Sequence, residues 1–137
     1  MSSGPHFLSS LLEADSSLYV LEDLRTGRVV ASALEVAFDS EVRRRGLLGR
    51  TGLAPDAVLI IAPCNGVHTF FMQFAIDVAF VGRDGTVLKL YRDLNPWRMA
   101  FALRAFAALE FGAGAIERAG IAAGDRLTVS RYNPVTS

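Results

Sequence analysis

Apolar and polar positions alternate in short bursts along this chain, and turn residues separate the bursts. Leu18 to Asp23 and Arg28 to Val36 carry period-two patterns on either side of Arg25-Thr26-Gly27, which predicts a first β-hairpin. Asp39 or Ser40 then offers an N-cap for a helix over Glu41 to Arg50, with Glu41 in the first turn, where the helix dipole favours an acid. Val58 to Cys64 is apolar and β-branched enough for a buried strand, and His68 to Phe74 and Ile76 to Val81 continue the β pattern. The strong turn Arg83-Asp84-Gly85 precedes a strand over Thr86 to Arg92.

The segment Trp97 to Phe111 reads two ways. Its alanines and leucines favour helix, whereas Ala105 to Phe111 fits a core strand equally well; a loop followed by a strand is the expectation. Ala115 to Ala119 predicts a short helix ended by Gly120 at C′, with Ile121 placed to touch Ile116 as in a Schellman stop. A last strand follows over Arg126 to Arg131. At the start, Pro5, Phe7, Leu8, Leu11 and Leu12 have the spacing of a short amphipathic helix ahead of the Asp15-Ser16-Ser17 loop. Together these elements predict a mainly β protein, an antiparallel β-sandwich or partly closed barrel of about seven or eight short strands with two or three short helices. One domain over 18–131 is expected, with an N-terminal segment over 1–17 and a tail over 132–137.

Composition narrows the function classes. The chain has 137 residues, enough for a single core that buries roughly two-thirds of the unfolded surface. Hydrophobic residues make up 51% and the mean hydropathy is +0.32, slightly more apolar than an average soluble domain; the surplus is core or a contact between subunits. Lys+Arg and Asp+Glu both total 14, so no net field gathers phosphate backbones or anionic lipid, and nucleic acid and membrane surfaces are not expected as partners. No apolar run approaches the ~18 residues of a membrane span, because Arg104 and Glu110 interrupt the most apolar late stretch. Met1 to Ser17 lacks the basic and apolar regions of an export signal, so a cytoplasmic location is the provisional expectation. A single cysteine cannot form an intramolecular disulfide and fits a reduced compartment.

Candidate chemistry concentrates in Cys64 to Asp77, which gathers the lone cysteine, His68 and a carboxylate inside apolar sequence. Burying such groups costs free energy unless each finds a partner, so the tract predicts a satisfied network or a site. In one continuous strand Cys64 and His68 would lie roughly 13 Å apart, too far for a thiol–imidazole pair or for shared metal ligation. Asn65-Gly66 is a preferred two-residue hairpin loop, and that geometry turns the two side chains to opposite faces. Cys64, His68 and Asp77 remain weak metal candidates, since a catalytic zinc needs three protein ligands and the third would come from Asp77, Asp84 or Glu110. Asp77 is read first as a carboxylate at a bend that accepts backbone hydrogen bonds, with Arg50, Arg98 and His68 as other partners. Arg43-Arg44-Arg45 fans around a helix as a solvated face, and Trp97 with Arg98 beside Pro96 lines a pocket rim or forms a lid. No motif calls for a cofactor.

Arg45-Gly46-Leu47-Leu48-Gly49-Arg50, then Cys64, Val67-His68-Thr69, Met72, Ile76-Asp77, Phe80 and Asp84-Gly85, then Pro96-Trp97-Arg98, Leu109-Glu110, Gly112 and Gly124-Asp125 resemble, in order, the family of domain of unknown function 192 (DUF192). The resemblance covers roughly Val29 to Val129 and implies a mainly β, sandwich-like fold with short helices and no established activity. Gln73 stands where the family commonly has a basic residue and Ala75 where it has proline, and many relatives look exported. The reading favoured by the residues is a non-enzymatic module that binds a small molecule or a protein. Its cleft is expected near Arg50, His68, Thr69, Met72, Asp77, Trp97 and Arg98. The rival is a metal-assisted or thiol-dependent enzyme centred on Cys64, His68 and Asp77. A homo-oligomer joined through the apolar surplus is a third reading.

Overall fold

In the computed structural model, residues 5–12 and 15–132 are described. Their strands, in chain order, begin with β1 (Tyr19–Asp23), β2 (Arg28–Ala31) and β3 (Ala33–Ala37). Helix α1 (Ser40–Arg45) precedes β4 (Ala57–Ile61), β5 (Gly66–His68), β6 (Ile76–Val81) and β7 (Val87–Leu94). Then come β8 (Met99–Phe101), β9 (Ala107–Gly112), helix α2 (Ala115–Ala119) and β10 (Leu127–Arg131). Three sheets result: β10-β1-β2, β3-β4-β9-β6-β7 and the two-stranded ribbon β5-β8. The protein is mainly β and sandwich-like, with no closed barrel among these sheets.

The five-stranded sheet is the wall between two cores. Its inner strands β4, β6 and β9 are buried at nearly every position, as strands covered on both faces must be. Side chains alternate across the wall. Val58, Ile60, Ala79, Val81, Leu109 and Phe111 meet Leu21, Val30 and Leu127 of the three-stranded sheet in the first core. Leu59, Ile61, Val78, Phe80 and Ala108 point the other way, into a second core closed by Leu47, Met72 and Ala100. Leu8 and Leu11, at 0% and 3% exposure, plug the first core from the N-terminal segment.

Several local expectations hold. The β1–β2 hairpin forms across Arg25-Thr26-Gly27, and Asp39 caps α1 by accepting the Val42 N–H at 2.9 Å. Helix α2 stops as a Schellman motif: Ile121 N–H donates to Ile116 O and Gly120 N–H to Glu117 O, both 3.1 Å, with Gly120 at φ 73. At the β6–β7 turn Gly85 has φ 88, and a Cβ there would collide with the Leu127 carbonyl.

Others are corrected. The strand expected over Arg28 to Val36 breaks at Ser32, where Ser32 and Ala33 N–H both donate to Asp56 O, so β2 and β3 serve different sheets. β3 then pairs with β4 in parallel rather than antiparallel register. Helix α1 ends at Arg45 instead of Arg50. No hairpin forms at Asn65-Gly66: β4 is already paired on both edges, by β3 and β9, so β5 crosses away to pair with β8. The strand expected over His68 to Phe74 gives way to a tight turn, with Phe71 at φ 66. Trp97 to Phe111 contains no helix, and its first half adds the unforeseen strand β8. The expected N-terminal helix is a 3-10 turn over Ser9–Leu11. Residues 1–4, 13, 14 and 133–137, which carry parts of the expected N-terminal segment and tail, lie outside the described residues.

Candidate functional site

One residue on the second face does not suit an apolar core. Glu110 of β9 lies in register between Leu59 of β4 and Val78 of β6, and is only 4% exposed. No described residue donates a hydrogen bond to its carboxyl. Burial pushes its pKa up to about 7 against the opposing pull of the Arg50 guanidinium, so near neutrality the group is divided between acid and carboxylate.

Glu110 opens into a cavity of about 350 Å3. One side is α1 and its exit, with Arg43, Arg44, Arg45 and Leu47; the other is the end of β4 and the ribbon, with Ile61, Cys64 and His68; Met72 lies between them. The cavity therefore has an apolar waist, a cationic rim and a titratable acid in its wall. Arg43 is partly used, donating to the Phe38 carbonyl, whereas the Arg44 and Arg45 side chains have no hydrogen-bond or ion-pair partner among the described residues.

Cys64 and His68 share this cavity without pairing. The Cys64 thiol donates to the Gly66 carbonyl, Sγ to O 3.2 Å, and His68 Nδ1 accepts the Phe70 N–H at 3.3 Å. Burial pushes the Cys64 thiol pKa up and nearby Glu110 adds to the shift, against the Gly66 backbone and the Arg43 charge; the sulfur is a neutral thiol at physiological pH. Among the described residues no group of three or more His, Cys, Asp or Glu is arranged to hold a metal ion.

The other residues singled out from sequence are dispersed. Asp77 belongs to the first-core face, opposite Glu110, which keeps it out of the cavity. Its Oδ1 accepts Asp93 N–H at 3.0 Å, while Oδ2 accepts Gly114 N–H at 3.1 Å and Ile116 N–H at 3.0 Å. It anchors the start of α2, the bend reading made of it from sequence. Thr69 is fully buried, and its hydroxyl donates to Asn95 O at 2.6 Å and accepts Arg98 N–H at 2.9 Å. Arg50 closes a two-pronged ion pair with Glu35 at 2.9 and 2.7 Å. Trp97 and Arg98 stand exposed at the ribbon tip, Trp97 against Phe71 with ring centroids 4.6 Å apart. Of the expected set, then, His68 and Met72 line the cavity. Glu110, Arg44 and Arg45 were not chosen as binding residues, although a lone glutamate inside Ala107-Ala108-Leu109-Glu110-Phe111 was itself a signal.

A β-sandwich with an acid-bearing cavity on its outer sheet face is the class that this fold and site define. The family profile DUF192, described as an uncharacterised ACR, matches residues 22–129, and the chain belongs to this family. The fold is shared with a candidate transcription regulator from Sinorhizobium meliloti 1021, at 24% identity and TM-score 0.71, covering 81% of this chain and 91% of that one. It is also similar to a protein of unknown function from Novosphingobium aromaticivorans DSM 12444, at 25% identity and TM-score 0.69, covering 80% and 81% of the two chains. No curated protein matches the chain. No helix of the described residues is long and apolar enough to cross a membrane.

Proposed function

We propose that the protein is a non-enzymatic binding module for a small organic acid, taken into the cavity between α1 and the outer sheet face. The observation that carries this reading is Glu110, a carboxyl with no hydrogen-bond partner among the described residues that opens into the cavity. The carboxyl reaches the cavity rather than being sealed off, and a ligand with a carbonyl or hydroxyl can supply the partner that the described chain does not. Arg44 and Arg45 at the rim favour an anionic head, and Leu47, Ile61 and Met72 favour an apolar body between the two ends. With water occupying about 30 Å3, the space suits a ligand of roughly a dozen heavy atoms.

The neutral thiol of Cys64 and the separate hydrogen bonds of Cys64 and His68 weigh against a thiol enzyme. Asp77 on the opposite face cannot join them in a metal-assisted one.

Melting temperatures of the parent and Glu110→Leu, measured with 4-oxopentanoate, 4-hydroxybenzoate and the neutral control benzyl alcohol, test the reading. A ligand at a hundred times its Kd should raise the parent's Tm by roughly 10 °C. Glu110→Leu should melt higher than the parent without ligand and respond little to the acids. Equal responses in the two proteins, or none to either acid, would rule the proposal out.

A further inference from the structure

The β5–β8 ribbon presents an apolar face that no part of the described chain covers. In β8 Ala100 is buried at 1% exposure while its neighbours Met99 and Phe101 stand out at 53% and 48%, and Trp97 and Leu103, in the turns before and after the strand, are exposed at 55% and 84%. Phe71, at 72%, extends the row by packing on Trp97. Isolated exposed apolar residues are ordinary, whereas five large ones gathered on one short ribbon and its turns are the pattern of an interaction site.

The row is held outward by design of the backbone. Phe71 and Trp97 have φ 66 and 67, a region that bulky residues rarely enter. Both turns are tied to Thr69, whose carbonyl accepts Trp97 N–H at 3.0 Å and Met72 N–H at 3.1 Å. Tyr91 braces the ribbon, its hydroxyl donating to Phe101 O at 2.9 Å and accepting Phe101 N–H at 3.2 Å.

Charge selects the occupant. The chain as a whole is neutral, which weighed against a membrane surface, but residues 65–76 and 95–106, which build the ribbon and its turns, contain two arginines, Arg98 and Arg104, and no acid, while the neighbouring end of β7 adds Arg92 and one acid, Asp93. Lys89 lies beside the ribbon, over the Tyr91 ring at 4.9 Å. None of the five row residues lines the cavity beside Glu110. A row of Trp, Phe, Met and Leu flanked by arginines matches the interfacial zone of a bilayer, where amphipathic aromatics sit at headgroup level and guanidinium groups meet phosphate.

We propose that the β5–β8 ribbon docks the protein on an anionic membrane surface, seating Phe71, Trp97, Met99, Phe101 and Leu103 among the headgroups with Arg98 and Arg104 on lipid phosphates. The row adjoins the cavity, because His68 and Gly66, which face Met99 and Phe101 across the ribbon, line it, but the proposal does not depend on the cavity's ligand.

Trp97 is the chain's single tryptophan, so its emission reports directly on the surface. The parent is titrated with vesicles of phosphatidylcholine and phosphatidylglycerol in a two-to-one mixture, and with pure phosphatidylcholine, followed by emission wavelength and co-sedimentation. The mixed vesicles should shift the emission to the blue and carry the protein down, with binding falling as salt is added. Arg98→Gln and Arg104→Gln should each weaken it about fivefold. Leu103→Asp and Phe71→Asp, both at exposed positions, should abolish it while the far-ultraviolet spectrum is unchanged. Absence of binding to the mixed vesicles, equal binding to both vesicle types, or binding indifferent to Leu103→Asp and Phe71→Asp overturns the proposal. So does a concentration-dependent dimer in light scattering that Leu103→Asp dissolves, in protein that ignores vesicles, because it assigns the row to a second copy.

Discussion

At Glu110 a single side chain links stability to acidity. Its folded pKa, about 7, lies above the ordinary glutamate value of 4.5, so the protonated form is the one the fold prefers. Below the unfolded pKa the residue is neutral in both states and imposes no charge-burial cost. As pH rises through 4.5 towards 7 the unfolded chain ionises first, and stability drains away until the folded form ionises too. Over that window the loss is roughly 3 kcal/mol. In urea titrations at about pH 5 and about pH 8, the parent should therefore lose roughly 2.5 kcal/mol more than Glu110→Gln, which carries no titratable group there. Parallel losses in the two proteins would show that the carboxyl is solvated. The residue's chemistry was partly legible in sequence: a charge in an all-apolar strand announces either a partner or a site, but pattern alone cannot say that no partner arrives. His68 and Met72 were legible as cavity residues for the opposite reason, since both sit in the same polar-in-apolar tract as Cys64.

Among the elements, α2 shows most clearly how a buried acid can be structural. The helix has five residues, too short to hold itself, and its first turn has no side-chain cap of its own. Asp77 supplies one from β6, accepting two N–H groups at the helix start and a third from Asp93 at the end of β7. Asp77→Ala would leave these three donors to a nearly dry site and should cost roughly 3 kcal/mol or more. Exchange of the Gly114, Ile116 and Asp93 amides should speed up beyond the global change; uniform acceleration would mean that Asp77 does not anchor the helix. At the other end, Gly120→Ala should cost about 1 kcal/mol in urea midpoints, because the C′ residue is left-handed. This helix stop, the first hairpin and the Asp84-Gly85 turn were readable because each is settled by residues adjacent in sequence. The ribbon was not, because β5 and β8 choose each other across about thirty intervening residues and only the occupied edges of β4 exclude the local hairpin.

For the whole molecule, the five-stranded sheet separates two jobs. Its first face is committed to stability, and the N-terminal segment belongs to that face: Leu8 and Leu11 fill the first core although they precede the matched family region, 22–129. Its second face carries the cavity. The inner strands pack both sides densely, so damage on one face should pass to the other only through overall unfolding. Leu8→Ala, which empties a site of 0% exposure, should cost about 2–5 kcal/mol in urea unfolding. Under conditions where the variant is still folded, the Glu110 titration followed by carboxyl NMR should stay within a few tenths of a pH unit of the parent, and affinity for any acid that binds the cavity should be unchanged. A moved titration, or a cavity that no longer binds in folded Leu8→Ala, would mean that the two cores act as one and that the sheet transmits strain. A cost below about 1 kcal/mol would instead show that the segment only rests on the domain. The expected pairing of a large stability loss with an untouched carboxyl follows from the alternation of side chains on β4, β6 and β9, where each residue serves one face and its neighbour the other.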